Sequence, residues 1–312
     1  MFLVCGEALF DIFVRGSEGA ELALGAVAGG SPFNVALGLT RLGQRAEFFT
    51  GLSRDLMGRK LAHIIAAEGI GVTYAVDVPR PTALSIVELG PEGSPDYAFY
   101  GDAPAYGALT PDDRPALPDD IRAIHVGSIA TVLEPTASTL ATLVEQEAGR
   151  RLISYDPNIR PSIQPDLDVW RRALARLTGA AHLVKVSAED LAALFPGATH
   201  DEVARRWLSS AARLVVVTEG GGGATAWTRE TRLHCPAEPV TMIDTVGAGD
   251  SFQAALLAGL AEMDCLSPDA LGGLPETRLS ALLQFACSAA ALTCSRRGAD
   301  LPRRNDIARR LS

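Results

Sequence analysis

Cysteine and histidine are scarce in this sequence, and neither is arranged for chemistry. The five cysteines, Cys5, Cys235, Cys265, Cys287 and Cys294, are odd in number, scattered and without any C-x-x-C pair. No disulfide framework or cysteine zinc site follows from them, and free thiols in a reducing compartment are expected. The five histidines, His63, His125, His182, His200 and His234, show no metal-ligand spacing either. No apolar run approaches the roughly 20 residues of a membrane span. Residues 1 to 15 carry Glu7 and Asp11 and lack the basic start and cleavage site of a secretory signal. A cytoplasmic protein is therefore expected, with no membrane partner. Positive charge is in deficit, with 28 Lys and Arg against 37 Asp and Glu and a net charge of -9. That balance argues against a nucleic-acid partner, whose affinity rests on clustered basic residues. The patterns G-x-x-x-x-G-K-[ST], H-E-x-x-H and G-x-S-x-G are also missing, which excludes readings built on a P-loop, a zinc protease helix or a nucleophile elbow.

What is present is a core-rich chain of 312 residues, 47% hydrophobic and 21% charged, long enough for one main domain spanning residues 1–312. Apolar β-rich runs alternate with amphipathic segments, the pattern of βαβ units around a mainly parallel sheet. Strands are predicted at Phe2 to Glu7, Ala46 to Thr50, Ala123 to Gly127, Leu152 to Tyr155, His182 to Ser187 and Leu214 to Thr218. Helices are predicted at Asn34 to Leu42, Asp55 to Glu68 and Glu134 to Glu147, each followed by a glycine that can take a left-handed cap. From Val72 to Tyr106 the rhythm breaks into strand-like runs separated by the turn Gly90 to Pro95. This region, approximately 72–106, is read together with residues 8–16 as a small β-lid; an edge hairpin with no moving role is the competing interpretation.

The most informative stretch is Thr241 to Met263, TMIDTVGAGDSFQAALLAGLAEM. Phe252, Ala255, Leu256, Gly259, Leu260 and Met263 recur at helical spacing, so a helix begins near Gly249. Gly247, Ala248 and Gly249 then occupy its first turn, where unpartnered amides and the helix dipole favour an anion. Asp250 in the same turn can accept a proton. Phosphoryl transfer asks for just these things: charge stabilisation around the migrating group, alignment, and a base for the attacking hydroxyl. An Asp that merely favours a first helical turn fits the residues equally well.

Three further stretches point to ligands. In AGGSPFNVALGLTRL, Gly29 and Gly30 leave backbone open to close approach, and Asn34 offers a donor and an acceptor to a polyol; a Gly-Gly turn capping a helix is the alternative. In KVSAED, Lys185 closes a strand at the end where ligands gather in open α/β sheets, and Ser187 with Asp190 can form a capping box. In LVVVTEGGGGATAW, Gly220 to Gly223 can cradle a nucleotide or simply turn a hairpin. Neither glycine cluster opens a βαβ unit with the third glycine of a dinucleotide fingerprint.

DTVGAGDSF resembles the C-terminal signature of the ribokinase-like, or PfkB, carbohydrate kinase family, and AGGSPFNVALG resembles its N-terminal one, in the same order and at matching distance. The resemblance implies an α/β fold with a doubly wound, mainly parallel sheet flanked by helices and a small β-sheet lid. It implies an ATP-dependent sugar kinase with Asp250 as base and Gly247, Ala248 and Gly249 as anion hole. Asp11, Gly29, Gly30 and Asn34 would contact sugar, with Arg160 of DPNIRP reaching substrate or phosphate unless it is a surface residue. Lys185, Thr218, Gly220 and Gly223 would lie near ATP. Glu189 would act on Mg2+ through water, and Asp244 beside a monovalent cation such as K+, unless it is only a turn residue. GGSPFNVA, SYDPNIRPSI and KVSAED look most like the fructokinase branch, although Gly101 stands where many fructokinases have arginine after the aromatic pair Phe99 and Tyr100. Ribose, 2-keto-3-deoxygluconate or a nucleoside are the other acceptors weighed, and a non-catalytic sensor is the reading from another class. A homodimer formed through the lid is also expected, because an exposed sheet edge invites a partner.

Overall fold

The computed structural model describes residues 1–89, 95–101 and 103–311. In chain order, β1 (Phe2–Cys5) is followed by a hairpin of β2 (Leu9–Glu18) and β3 (Glu21–Gly29), then α1 (Ser31–Arg41), β4 (Ala46–Phe49), β5 (Gly51–Ser53) and α2 (Leu56–Ala67). β6 (Val76–Val78), β7 (Leu84–Leu89) and β8 (Pro95–Tyr100) come next without an α-helix between them. The βα rhythm resumes with β9 (Ala123–Gly127), α3 (Thr136–Glu147), β10 (Leu152–Asp156), α4 (Leu167–Thr178), β11 (Leu183–Ser187), α5 (Ala188–Leu194) and α6 (His200–Leu208). β12 (Leu214–Thr218), β13 (Ala224–Trp227) and β14 (Arg232–Cys235) lead to the closing helices α7 (Ala248–Glu262), α8 (Pro268–Gly272), α9 (Glu276–Cys294) and α10 (Arg304–Leu311).

The central sheet has the order β14-β13-β12-β11-β10-β9-β1-β4, parallel from β4 to β12 and antiparallel only at the β13 and β14 edge. The parallel strands β1, β9, β10, β11 and β12 are buried on both faces, which is why they read as mostly apolar runs rather than alternating ones. Successive residues of β1 divide between two cores. Phe2 and Val4 pack with α1, α7 and α9, while Leu3 and Cys5 pack with α3, α4 and α6. α7 is buried almost all round, and its approach to α1 and α9 depends on small residues. A Cβ added at Gly38 would lie 2.5 Å from Ala254 Cβ, and one at Gly259 would lie 2.6 Å from Leu282 Cδ1. This packing fixes the start of α7, and all five cysteines are free thiols.

The predicted strands and helices are found with ends shifted by a residue or a few. The lid is where the structure departs from the sequence reading. It is a four-stranded sheet of order β3-β2-β7-β8, and β3 was not anticipated: ELALGAVAG is rich in Ala and Gly and lacks the alternation of a half-buried strand. Most of residues 72–83 stay outside it: β6 pairs with β5 in a separate two-stranded sheet, and Ala83 reaches the lid through its carbonyl, which accepts from the Phe10 amide at 3.2 Å. Of the predicted turn Gly90 to Pro95, residues 90–94 lie outside the described residues. Among the described residues no helix is long and apolar enough to cross a membrane.

Candidate active site

The residues singled out from sequence converge at the carboxyl ends of the central strands, the position where open α/β sheets bind ligands. Gly247 enters α7 in the left-handed conformation, φ 78°, and a Cβ there would lie 2.7 Å from Ala299 Cβ, so glycine is required twice over. The first intrahelical bond runs from Ser251 N–H to the Gly247 carbonyl at 2.8 Å. Ala248, placed in the anion hole by the sequence reading, donates instead to the Thr245 carbonyl at 3.2 Å. The amides of Gly249 and Asp250 belong to the same first turn and have no carbonyl four residues back in the helix to bond. Lys185 Nζ lies 3.0 Å from the point a Gly249 Cβ would occupy, bringing a positive charge to those amides.

Asp250 is only 8% exposed. Its Oδ1 accepts from Ser31 Oγ at 2.6 Å and its Oδ2 from Asn34 Nδ2 at 2.8 Å. Burial pushes its carboxyl above the ordinary aspartate range, while those two donors and the nearby Lys185 charge pull the other way. Desolvation thus works against the helix dipole, which favours an ionised carboxylate in this first turn. Ser31 went unnoticed in the sequence; its position three residues before Asn34, on one face of α1, is the signal that was available. Asn34, expected to face sugar, spends its amide on Asp250, but its Oδ1 is buried with no hydrogen-bond partner among the described residues.

At the sugar end Asp11 pairs in register with Val27 and Ser85 across the lid sheet. Burial lifts its carboxyl to about 6, against the neighbouring Ser85 hydroxyl and the Arg160 charge. The two glycines serve the protein itself. A Cβ at Gly29 would sit 2.3 Å from Asp11 Oδ2, and Gly30, at φ 108°, would put one 2.7 Å from the Glu7 carbonyl. Glu7 is a second residue the sequence did not reveal. It is 2% exposed, accepts from the Ala130 amide at 3.3 Å, and is pushed by burial up to about 7 despite a Ser128 hydrogen bond. Arg160 is half-buried and bonds the Asn158 carbonyl and side chain and the Ile159 carbonyl. Its charge bears on Glu7, Asp11 and Asp190, which a free surface arginine would not do. In the lid, Phe99 is in register with Ser85 and so shares Asp11's face, whereas Tyr100 pairs with Leu84 on the opposite face and is 58% exposed. The side chain of Tyr97 lies outside the described ones.

At the nucleotide end Lys185 is buried and paired with Asp156, Nζ to Oδ2, at 2.9 Å. Ser187 caps α5 by accepting the Asp190 amide at 3.0 Å. Glu189, the expected magnesium residue, is exposed, and the next residue, Asp190, is the buried one. Neighbours on a helix point about 100° apart, which turns Asp190 inward and leaves Glu189 toward solvent. Burial raises Asp190 to about 6, with the Asp156 charge adding to the effect and Lys185 opposing it. Thr218 pairs with Ser187 on the adjacent strand, which puts Gly220 to Gly223 beside the same edge. Gly223, at φ 97°, lies so close to the Cys235 carbonyl that a Cβ would be 2.1 Å from it. Asp244 has both oxygens engaged by backbone amides, Val246 at 3.0 Å and Gly298 at 2.8 Å, the turn-residue geometry weighed against a cation role. Among the described residues, no three His, Cys, Asp or Glu side chains are grouped to hold a metal ion directly.

The geometry brings together a buried carboxylate, an amide-lined helix start and a lysine, the requirements of phosphoryl transfer to a hydroxyl. Comparison with known proteins agrees. The chain is 38% identical over 279 residues to a fructokinase of Rhizobium leguminosarum bv. trifolii, covering 89% of this chain and 85% of that one. The crystal structure of fructokinase with bound ATP from Xylella fastidiosa is similar with a TM-score of 0.90 at 25% identity, covering 99% of this chain and 97% of that one. A Vibrio cholerae O395 fructokinase double mutant, in a form with fructose, ADP and potassium ion bound, gives 0.86 at 25% identity, covering 100% and 98%. Residues 7–306 match the profile of the pfkB family carbohydrate kinases, and the chain belongs to that family.

Proposed function

We propose that the protein phosphorylates fructose with ATP, using Asp250 as general base. The observation that carries this is the Asp250 carboxylate, buried in the first turn of α7, held by Ser31 and Asn34, with Lys185 beside the same turn. In the reaction a sugar hydroxyl gives its proton to Asp250 as its oxygen bonds to the γ-phosphorus, and the bond to the bridging oxygen breaks to release ADP. The amides of Gly249 and Asp250 and the Lys185 ammonium stabilise the charge on the equatorial oxygens. Asn34 Oδ1 accepts from a sugar hydroxyl, Asp11 from others, and Phe99 lies on the lid face turned to them. Closure of the lid would exclude water and suppress ATP hydrolysis.

Three buried carboxylates, Asp156, Asp190 and Asp250, face one buried ammonium, an excess of negative charge that suits a hydrated cation. Magnesium on the nucleotide would neutralise phosphate charge there, with Asp190, and Glu189 at the rim, holding its water shell. A potassium ion is proposed beside Asp244, whose carboxylate shapes the loop through Val246 and Gly298. Thr218, Gly220 and Gly223 are assigned to the nucleotide, the Xylella relative being one with bound ATP. Fructose is favoured over other acceptors by the relatives named fructokinase. The protein is proposed to act in the cytoplasm as a homodimer joined through β3, the lid's edge strand, which exposes Leu22 and Leu24.

The test is ADP release, coupled to an optical readout, across fructose, ribose, 2-keto-3-deoxygluconate, a nucleoside and a no-acceptor control. Fructose is expected to give the highest kcat/KM. Faster turnover of another acceptor would reassign the substrate, and no ADP above the control from any of them would remove the enzyme reading.

A further inference from the structure

Asp156, Lys185, Asp190 and Asp250 are buried together, none more than 8% exposed. One ammonium among three carboxylates has a choice of partner, and the choice matters for chemistry. Lys185 hydrogen-bonds Asp156 and reaches Asp250 and Asp190 only through space. The same Nζ stands at the Gly249 amide turn, 3.0 Å from the missing Cβ. Asp156 is itself firmly seated. It ends β10, which is bonded on both sides by β9 and β11. Its carbonyl accepts the Ser128 amide at 3.1 Å, and a Cβ at Gly127 would fall 2.4 Å from that carbonyl. The carboxylate therefore reaches Lys185 from a rigid strand end, and its Oδ1 is buried without a hydrogen-bond partner among the described residues.

We propose that Asp156 is a positioning residue for phosphoryl transfer: it holds the Lys185 ammonium against the amides that open α7 and keeps it off Asp250. Both halves follow from elementary electrostatics. Without the Asp156 charge, the ammonium would be drawn to the remaining buried carboxylates, and Asp250, with only two neutral donors, is the one alongside. A direct pair with Lys185 would engage the lone pairs that must take the hydroxyl proton and withdraw the positive charge from the anion hole. Asp156 thus supports both functions without touching the reacting atoms. The inference rests on the phosphoryl-transfer reading above.

The experiment is a double-mutant cycle of Asp156→Asn, Lys185→Met and the pair, measured as kcat and as KM for fructose, with fructose-induced thermal stabilisation as a check of folding and sugar binding. Asp156→Asn is expected to lose about 10²-fold in kcat, the scale of one anion-hole donor, with fructose KM within about twofold. Because Asp156 acts through Lys185, the double variant should be no slower than Lys185→Met alone. Losses that multiply across the cycle, or an Asp156→Asn variant with near-normal kcat, would overturn the proposal. If Asp156→Asn fails to fold, Asp156→Glu, which keeps the charge but displaces the ammonium, replaces it in the cycle under the same criterion. Asp250→Asn is run alongside. Should it stay active, the base assignment itself falls; should it be dead while the cycle multiplies, only the role of Asp156 is lost.

Discussion

The two walls of the site are built to different standards. The α7 wall is a fully packed helix start, where Asp250 is fixed by two buried hydrogen bonds and Gly38 and Gly259 let the helices close on one another. The lid wall carries Asp11 on a sheet whose outer strand exposes Leu22 at 55% and Leu24 at 49%. Truncating a packed core leucine typically costs about 2–5 kcal/mol, whereas the outer lid has little packing to lose. A rigid wall suits the base and anion hole proposed there, which must be aligned before reaction. A thinly packed wall suits the part that must admit and release sugar.

Glu7 gives the largest expected effect on stability. Its carboxyl is near 7 in the folded protein against an ordinary 4.5. A raised carboxyl binds its proton more tightly when folded, so its stabilising contribution is complete below pH 4.5 and is lost as pH rises through 7. The loss is on the order of 3 kcal/mol. Denaturant unfolding across that window should show Glu7→Gln falling less steeply than the parent; parallel curves would show that Glu7 is not held protonated by burial.

Asp11 sharpens the comparison from the lid side. A hydrogen bond to a charged group is worth about 1.5–3 kcal/mol, so Asp11→Asn should raise the fructose KM by about 10- to 100-fold and lower kcat much less. The parent's fructose KM should rise as pH falls below about 6, where Asp11 takes up its proton, and the variant's should not. A fall in kcat with unchanged KM would assign Asp11 to the other wall. The smallest effect belongs to the outer strand: Leu24→Lys should shift sedimentation from dimer to monomer without unfolding the body. A parent that sediments as a monomer would end the lid-dimer proposal.

Much of the body was legible in the sequence, because continuous apolar strands, amphipathic helices and the glycines ending them are local signals. The start of α7 was legible for the same reason. Gly29 and Gly30 stood out in the sequence as open backbone, but that a Cβ at either would meet Asp11 or the Glu7 backbone depends on residues outside their own turn. Glu7, Ser31 and Asp156 stayed silent because their roles depend on partners distant in sequence; Ser31 meets Asp250 across 219 positions. Asp190 was quoted only as a cap, and nothing local says which of two adjacent acids turns inward. β3 was hidden by its Ala and Gly content, which carries no strand period.

The most direct test of the base is turnover of Asp250→Asn at saturating fructose and ATP, with fructose binding followed by thermal stabilisation. Loss of kcat by at least about 10²- to 10⁴-fold, the usual worth of a general base, with fructose binding retained, is the expected result. Near-normal turnover by that variant would contradict it.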